Sequence, residues 1–182
     1  HVVMHNLLHG GFEGPIMPVN PSERAIAGVL SYPEVATLPL APDLALICGQ
    51  DRATPEVIRD LGEKGTRAAI LVAEDLSAPH NGGAAQHQRL LDEARRHDVR
   101  LLGPNCLGVM VPGIGLNASI ADATALPGGI AFVSQSSTIG LGVLDWARDR
   151  DIGFSYFISL GSGVDIDVAD VIDYLGNDAM TR

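Results

Sequence analysis

Small and polar residues stand at the ends of four apolar segments, where a parallel sheet would bind a ligand. In open parallel sheets, ligands bind outside the carboxyl ends of the strands, and small residues there allow close approach to backbone N–H groups. We therefore predict that the four segments line one crevice, although each could also be an ordinary turn at a strand end. They are Val19-Asn20-Pro21, Cys48-Gly49-Gln50, Val72-Ala73-Glu74 and Gly103-Pro104-Asn105.

A fifth segment, Ser134 to Thr138, joins a predicted strand to a predicted helix. A helix N-terminus has unpaired N–H groups and a favourable dipole, so it can bind an anion such as phosphate. We predict Ser136, Ser137 and Thr138 as the phosphate-binding residues, and simple capping of the helix by one of them is the alternative. The segment does not match G-x-S-x-G, so it is not a nucleophile elbow.

Other polar clusters favour structural roles. The histidines His1, His5 and His9 share one face of a predicted helix, and we interpret that face as solvated rather than metal-binding. Cys106 is expected to be a buried small residue, not a nucleophile. Among Asp165, Asp167, Asp170 and Asp173, we predict Asp167 as a helix N-cap and Asp170 as a negative charge that suits the N-terminal end of the helix dipole. We therefore predict no metal site and no catalytic residue in this chain.

The elements that would position these residues alternate between strands and helices, which indicates an α/β fold. Strands that are apolar throughout and separated by helices are typical of a parallel sheet covered on both faces. The predicted strands are 16–19, 43–48, 67–73, 100–102, 130–133 and 154–159, and the predicted helices are 2–9, 54–65, 84–97, 138–150 and 168–175. Within the fourth helix, Asp145 and Trp146 are expected to pack against the sheet.

The stretch between residues 107 and 129 is less regular and contains several Gly, Pro and Ala residues. It is predicted to be a linker with two short strands. We therefore divide the chain into a first domain at residues 1–120 and the N-terminal part of a second domain at residues 121–182.

The composition excludes several classes of function. The 182 residues carry 12 Lys and Arg against 22 Asp and Glu, a formal net charge of -10. This charge argues against nonspecific binding to nucleic acid or to an anionic membrane. The two cysteines make a disulfide framework improbable and fit a reducing, cytoplasmic environment.

The chain begins with the segment HVVMHNLLHGG, which is predicted to be a helix at residues 2–9 without an N-cap. A nucleotide-binding βαβ unit starts with a strand and a Gly-rich turn that holds a pyrophosphate, and no G-x-G-x-x-G occurs in the sequence. We therefore expect that this turn lies before residue 1 and that the sequence is a fragment of a longer protein.

Several motifs carry a family resemblance along the whole chain. They are, in order, GGFEGPIMPVNP, DLALIC, RLLGPNCLG, GLNAS, IAFVSQS, LDWA and IGFSYFISLGSGVDIDVADVIDYL. The chain resembles the NDP-forming acyl-CoA synthetase superfamily, which includes succinyl-CoA synthetase alpha subunits and ADP-forming acetyl-CoA synthetases. It looks most like the synthetase-like region of bacterial protein lysine acetyltransferases that add a GNAT domain.

The resemblance implies a Rossmann-like CoA-binding domain without its first strand, followed by part of a flavodoxin-like domain of the succinyl-CoA synthetase type. It also implies that CoA or acetyl-CoA lies across the strand ends of the first domain, with Glu74 accepting a hydrogen bond from the ribose or adenine. The implied CoA-binding residues are Val19, Asn20, Pro21, Cys48, Gly49, Gln50, Val72, Ala73, Glu74 and Asn105.

Departures from the family pattern limit what the chain could do alone. Glu23, followed by Arg24, stands where some members have a lysine that pairs with a CoA phosphate, and Ser137 replaces the glycine of S-x-S-G. No Gly-His-Ala element of a phosphohistidine is present. ATP, ADP and Mg²⁺ would bind only through an ATP-grasp part that the chain lacks, so we expect a catalytically incomplete fragment.

The leading hypothesis is a CoA- or acyl-CoA-binding fragment of a larger bacterial protein acetyltransferase. One alternative is a fragment of an active NDP-forming acyl-CoA synthetase, an acid–thiol ligase working through a phosphohistidine. Another is a non-catalytic regulatory or assembly module. The expected partners are a CoA thioester, other domains of the same polypeptide and, through an exposed sheet edge, a second copy of the chain.

Overall fold

The computed structural model describes residues 2–48, 54–72 and 83–182, which form five helices and nine strands. The helices are α1 (Val2–His9), α2 (Pro55–Lys64), α3 (Gly83–Arg96), α4 (Ser137–Arg148) and α5 (Val168–Gly176). The strands are β1 (Ala25–Ile26), β2 (Val29–Leu30), β3 (Leu44–Ile47), β4 (Ala68–Leu71), β5 (Arg100–Leu102), β6 (Gly108–Val111), β7 (Leu116–Ser119), β8 (Leu126–Ser134) and β9 (Gly153–Ser159).

The first sheet is parallel, in the order β3-β4-β5, and its strands are continuous apolar runs. One face packs against α2 and α3 through a core that includes Ile58, Leu71, Leu90 and Leu101. Burial of both sheet faces explains why these strands are apolar at every position and do not alternate with polar residues. The predicted parallel α/β arrangement is therefore confirmed.

The start and end of α2 agree with its sequence. The Thr54 hydroxyl accepts the Val57 N–H at 3.3 Å, Pro55 occupies the first turn, and Gly65 ends the helix with a φ of 106°. A hydroxyl cap, an early proline and a left-handed glycine are the features that define a helix's two ends.

The second sheet is mixed, in the order β7-β6-β9-β8. Strand β8 pairs in parallel with β9, whereas β6 pairs antiparallel with both β7 and β9. Three aromatic rings pack together in its core: Phe132 stacks on Phe157, and Phe154 meets both rings edge to face. The two short strands predicted between residues 107 and 129 are thus confirmed, and both belong to the same sheet as β9.

Helix α1 packs against β7 through a buried polar side chain. Asn6 is the buried residue of α1, and its Nδ2 donates to the carbonyl oxygens of Ser119 and Ala121, each at 2.9 Å. Ser119 Oγ in turn donates to Asn117 Oδ1 at 2.6 Å. Because buried polar groups must be satisfied, this network fixes the position of α1 on the second sheet.

Two sequence predictions about the fold are wrong. Residues 16–19 do not form a strand of the sheet, since only Val19 makes an isolated parallel bridge, to Tyr32. Trp146 does not pack against the sheet: 51% of it is exposed, and the Arg150 guanidinium lies 4.8 Å from its ring. The inward face of α4 is instead Gly140, Leu144 and Ala147, whose spacing matches a helical period.

Two further features were not predicted. A hairpin of β1 and β2 follows the turn at residue 20, and β8 begins at Leu126, four residues before the predicted strand.

The division of the chain at residue 120 stays a prediction. Within the described ranges, every helix is too short or too polar to cross a lipid bilayer.

Candidate functional site

The carboxyl ends of β3, β4 and β5 meet at one edge of the first sheet. The Val72 N–H donates to the Ile47 carbonyl at 3.1 Å, so Cys48 and Val72 leave their strands side by side. Cys106 Sγ donates to the Leu71 carbonyl at 3.4 Å, which brings the turn after β5 against the end of β4. We call the group of Cys48, Val72 and residues 103–105 the strand-end site.

The turn at residues 103–105 leaves a polar side chain at the surface of the strand-end site. Gly103 has a φ of 98° and Asn105 a φ of 58°, and Asn is among the few non-glycine residues that adopt this region readily. Pro104 and Cys106 are buried, whereas Asn105 between them is exposed. The turn therefore presents the Asn105 amide to any ligand at this edge.

The two cysteines differ in their surroundings. Cys106 is 2% exposed, and burial raises the pKa of its thiol to about 11. A thiol with this pKa remains protonated at neutral pH, and the protonated form is a poor nucleophile. The predicted burial of Cys106 is confirmed. Cys48 is a free, exposed cysteine at the end of β3.

The turn at Val19, Asn20 and Pro21 is shaped by the Asn20 side chain. Asn20 Oδ1 accepts the N–H groups of Ser22 at 2.9 Å and Glu23 at 3.2 Å. The Asn20 backbone N–H donates to the Tyr32 carbonyl at 2.8 Å. This turn therefore pairs with Tyr32, and not with a strand of the parallel sheet.

Four predicted site residues lie outside the described part of the chain: Gly49, Gln50, Ala73 and Glu74. The remaining residues predicted to bind CoA are all at least partly accessible to solvent: Val19, Asn20, Pro21, Cys48, Val72 and Asn105.

The N-terminus of α4 uses two serines for its own structure. Ser136 is the N-cap, and its hydroxyl accepts the Ile139 N–H at 3.3 Å. The Ser136 N–H donates to Ser134 Oγ at 3.1 Å. Capping by Ser136 is thus observed, and the Ser136 N–H already has an acceptor within the protein. A ligand at this helix end would therefore meet the N–H groups of Ser137 and Thr138 first.

The helix end lies next to the strand-end site. Ser137 Oγ donates to the Asn105 carbonyl oxygen at 3.5 Å. The two predicted ligand-binding segments, one after β5 and one at α4, are therefore neighbours. The two residues are 32 positions apart, and no pattern in the sequence predicts a contact between them.

Residues 162–166 line the open edge of β5, and we call them the edge segment. Ser162 N–H donates to the Pro104 carbonyl at 2.9 Å, Val164 N–H to Gly103 at 3.4 Å and Ile166 N–H to Leu101 at 3.1 Å. The residue numbers of the edge segment increase from 162 to 166 while those of the acceptor residues decrease from 104 to 101. The edge segment therefore runs antiparallel to β5. The sequence did not predict this pairing, because GSGVDID has no strand-like alternation.

Asp165 completes the pairing of the edge segment with a side chain. Its Oδ2 accepts the Leu101 N–H at 2.7 Å and the Arg100 Nε–H at 3.1 Å. Arg100 also donates to Asp170 Oδ2 at 3.1 Å. The hydrogen bond to Asp165, followed by the charges of the two carboxylates, raises the pKa of the Arg100 guanidinium.

The other polar clusters make structural contacts. Asp167 caps α5 by accepting the N–H groups of Ala169 and Asp170, and Asp170 accepts the Asp167 N–H, which confirms the predicted cap. The rings of His5 and His9 stack at 4.1 Å, and His1 lies outside the described residues. Among the residues with a described position, no group of three or more His, Cys, Asp or Glu could hold a metal ion.

Comparison with known proteins assigns these segments to two families. Residues 1–112 match the CoA binding domain family, and residues 127–182 match the succinyl-CoA ligase-like flavodoxin domain family. The predicted combination of these two domain types is confirmed.

Two of the relatives with known functions are ADP-forming acetate–CoA ligases. The chain is 34% identical to acetate–CoA ligase [ADP-forming] I of Archaeoglobus fulgidus, over all of this chain and 26% of that protein. It is 33% identical to the alpha subunit of acetate–CoA ligase [ADP-forming] I of Pyrococcus furiosus, over all of this chain and 40% of that subunit.

The fold also matches a solved enzyme. The dinucleotide-forming acetyl-coenzyme A synthetase 1 of Ca. Korarchaeum cryptofilum, in complex with phosphate and ADP, aligns with a TM-score of 0.91 and 30% identity. The alignment covers 99% of this chain and 38% of that one. The chain thus spans between about a quarter and two fifths of the relatives it matches. Since one family match covers 112 of its 182 residues, the chain belongs to the CoA binding domain family.

Proposed function

We propose that this chain binds CoA or a CoA thioester at the strand-end site, as the CoA-binding region of an NDP-forming acyl-CoA synthetase. The observation that carries the proposal is the match of residues 1–112 to CoA binding domains. The convergence of the β3, β4 and β5 ends supports it, because ligands of open parallel sheets bind at that edge.

The relatives favour a ligase over an acetyltransferase. Both curated relatives described above are acetate–CoA ligases, and the solved relative is an acetyl-coenzyme A synthetase. The leading hypothesis from the sequence, a fragment of a protein acetyltransferase, has no support among them. The synthetase alternative fits better and is the function that we propose.

The CoA contacts would come from the strand ends and from the turn at residues 19–21. Backbone groups after β3 and β4 would face the nucleotide part of CoA, and Asn105 would offer both a donor and an acceptor. Asn20 would act through the shape of its turn, since its Oδ1 already accepts two N–H groups. The proposed residues are Val19, Asn20, Pro21, Cys48, Gly49, Gln50, Val72, Ala73, Glu74 and Asn105.

The N-terminus of α4 would hold the phosphoryl group of such a synthetase beside the CoA site. The helix dipole favours a negative charge there, and the Ser137 and Thr138 N–H groups are the ones left for it. Because Ser137 also contacts the Asn105 carbonyl, a phosphate at α4 and CoA at Asn105 would be neighbours. The histidine that carries phosphate in this family has no counterpart in the 182 residues.

Isothermal titration of the 182-residue chain with CoA tests the proposal. We expect saturable binding that acetyl-CoA competes away. The variant Asn105→Gly removes the side chain without straining the left-handed backbone, and it should weaken binding about tenfold, as expected for a lost hydrogen bond to a ligand. Asn177→Gly, at the exposed end of α5, is the matched control and should bind CoA like the wild type. An absence of heat with CoA at two well-separated temperatures would exclude the proposed function, because a binding enthalpy of zero at both is not expected when the heat capacity changes on binding.

A further inference from the structure

The edge of β5 is covered by a segment from the other half of the chain. The Leu101 carbonyl accepts the Ile166 N–H. The carbonyl of Gly103 accepts the Val164 N–H, and the carbonyl of Pro104 accepts the Ser162 N–H. Exposed strand edges are usually covered or paired, and here the cover reaches into the turn of the strand-end site. The position of this turn therefore depends on the edge segment.

One acceptor in this pairing is not a backbone carbonyl. The Leu101 N–H, which faces the edge segment, donates to the Asp165 carboxylate at 2.7 Å. The Arg100 guanidinium neutralises that carboxylate and also donates a hydrogen bond to Asp170 in the first turn of α5. The Asp165 side chain is 18% exposed and that of Arg100 is 53% exposed, so the carboxylate is shielded from solvent although the guanidinium is not.

The carbonyl oxygens of the turn are all occupied by the second half of the chain. Gly103 and Pro104 accept from the edge segment, and the Asn105 carbonyl accepts from Ser137 Oγ. A side chain at Gly161 would collide with the Pro104 carbonyl, which shows how closely the two backbones approach. The Asn105 turn is thus held by contacts from beyond residue 112, in addition to the Cys106 contact with the Leu71 carbonyl.

We propose that Asp165 is a positioning residue, which keeps the edge segment on β5 and so holds the Asn105 turn ready for CoA. Asp165 does not touch the ligand; it acts through Leu101 and Arg100. This inference rests on the proposed function, because it concerns the affinity for CoA. It predicts that a residue of the second matched segment controls binding at the first.

The test compares Asp165→Ala with a matched carboxylate in the same half of the chain. Asp178 also accepts several hydrogen bonds, from Met180 and Thr181, but it lies beyond α5. Both variants should lose stability. Only Asp165→Ala should weaken CoA binding, by about tenfold, when affinities are measured well below both melting temperatures.

Asp165→Asn separates the charge from the hydrogen bond. Its amide oxygen can still accept the Leu101 N–H, so binding should fall by less than in Asp165→Ala, and the Leu101 amide should stay protected from hydrogen exchange. If Asp165→Ala fails to fold, the comparison of Asp165→Asn and Arg100→Gln with Asp178→Asn takes its place. Those two variants should each weaken CoA binding, and Asp178→Asn should not.

The outcomes distinguish this proposal from the proposed function. If the wild type binds CoA and the Asp165 variants bind equally well, the positioning role is wrong while the CoA function stands. Equal weakening by the Asp165 and Asp178 variants also overturns it, since that result indicates general destabilisation. If the wild type itself binds no CoA, the proposed function fails.

Discussion

The hydroxyl of Ser137 donates to the carbonyl oxygen of Asn105 across 3.5 Å, so the first turn of α4 lies against the turn that follows β5. The contact joins the two segments that the sequence singles out for ligand binding. It places a helix N-terminus suited to phosphate next to an exposed amide suited to CoA. The phosphate and CoA subsites that we propose would therefore be neighbours.

Replacing Ser137 by alanine should have a small effect on stability. The bond is long and partly exposed, so its loss should lower the free energy of unfolding by less than about 1 kcal/mol. Urea unfolding of Ser137→Ala measures this. A loss above about 2 kcal/mol would mean that the hydroxyl has a structural role that a 3.5 Å bond does not explain.

Replacing Asn6 by alanine should be much more damaging. The change leaves the carbonyl oxygens of Ser119 and Ala121 buried beside an apolar methyl group and opens a cavity under α1. We expect a loss of about 2–4 kcal/mol in the free energy of unfolding. Asn177→Ala removes an exposed amide and should cost less than about 1 kcal/mol. Equal losses in both variants would contradict the buried network.

Two glycine-to-alanine changes should act in opposite directions. Gly161 has a φ of 58°, and a Cβ there meets the Pro104 carbonyl, so Gly161→Ala should destabilise the protein by several kcal/mol. Gly142 in α4 has open space around it, and Gly142→Ala should stabilise by about 0.5–1 kcal/mol. Thermal unfolding of the pair is the measurement. A Gly161→Ala protein as stable as the wild type would show that the edge segment does not approach the turn so closely.

The buried Cys106 thiol should make stability fall in alkaline solution. Its pKa is about 11 in the folded protein against 9.0 for an ordinary thiol, so the folded state retains a proton that the unfolded chain releases. This contribution is fully present below about pH 9 and is lost as the pH rises towards 11, by roughly 2–3 kcal/mol in all. Cys106→Ala removes it. Urea titrations at pH 8 and pH 11 should therefore show a larger loss for the wild type, and parallel losses would refute the shift.

Much of the first sheet could be predicted from the sequence because its signals are local. The cap at Thr54 and the glycine at 65 reflect contacts within a few residues, and β3 and β4 are each marked by a short continuous apolar run. The Val19–Tyr32 bridge and the edge segment could not be predicted in this way. Both depend on pairing between distant or irregular segments, which leaves no periodic pattern in the sequence.

Some residues of the candidate site could likewise be predicted from the sequence, and others could not. Strand-end residues such as Cys48, Val72 and Asn105 followed from a general rule of parallel sheets. Asp165 did not, since a helix-capping role was an adequate explanation for every aspartate around it. Only the three-dimensional arrangement shows that Asp165 bonds to Leu101 of the first sheet.

The central claim is that CoA binds at the strand-end site, and chemical-shift mapping of backbone amides during a CoA titration tests it most directly. We predict that the amides of Cys48, Val72 and Asn105 shift together and saturate at one CoA per chain, while those of Asn177 and Asp178 stay in place. Shifts confined to α5, or none at all at saturating CoA, would contradict the claim.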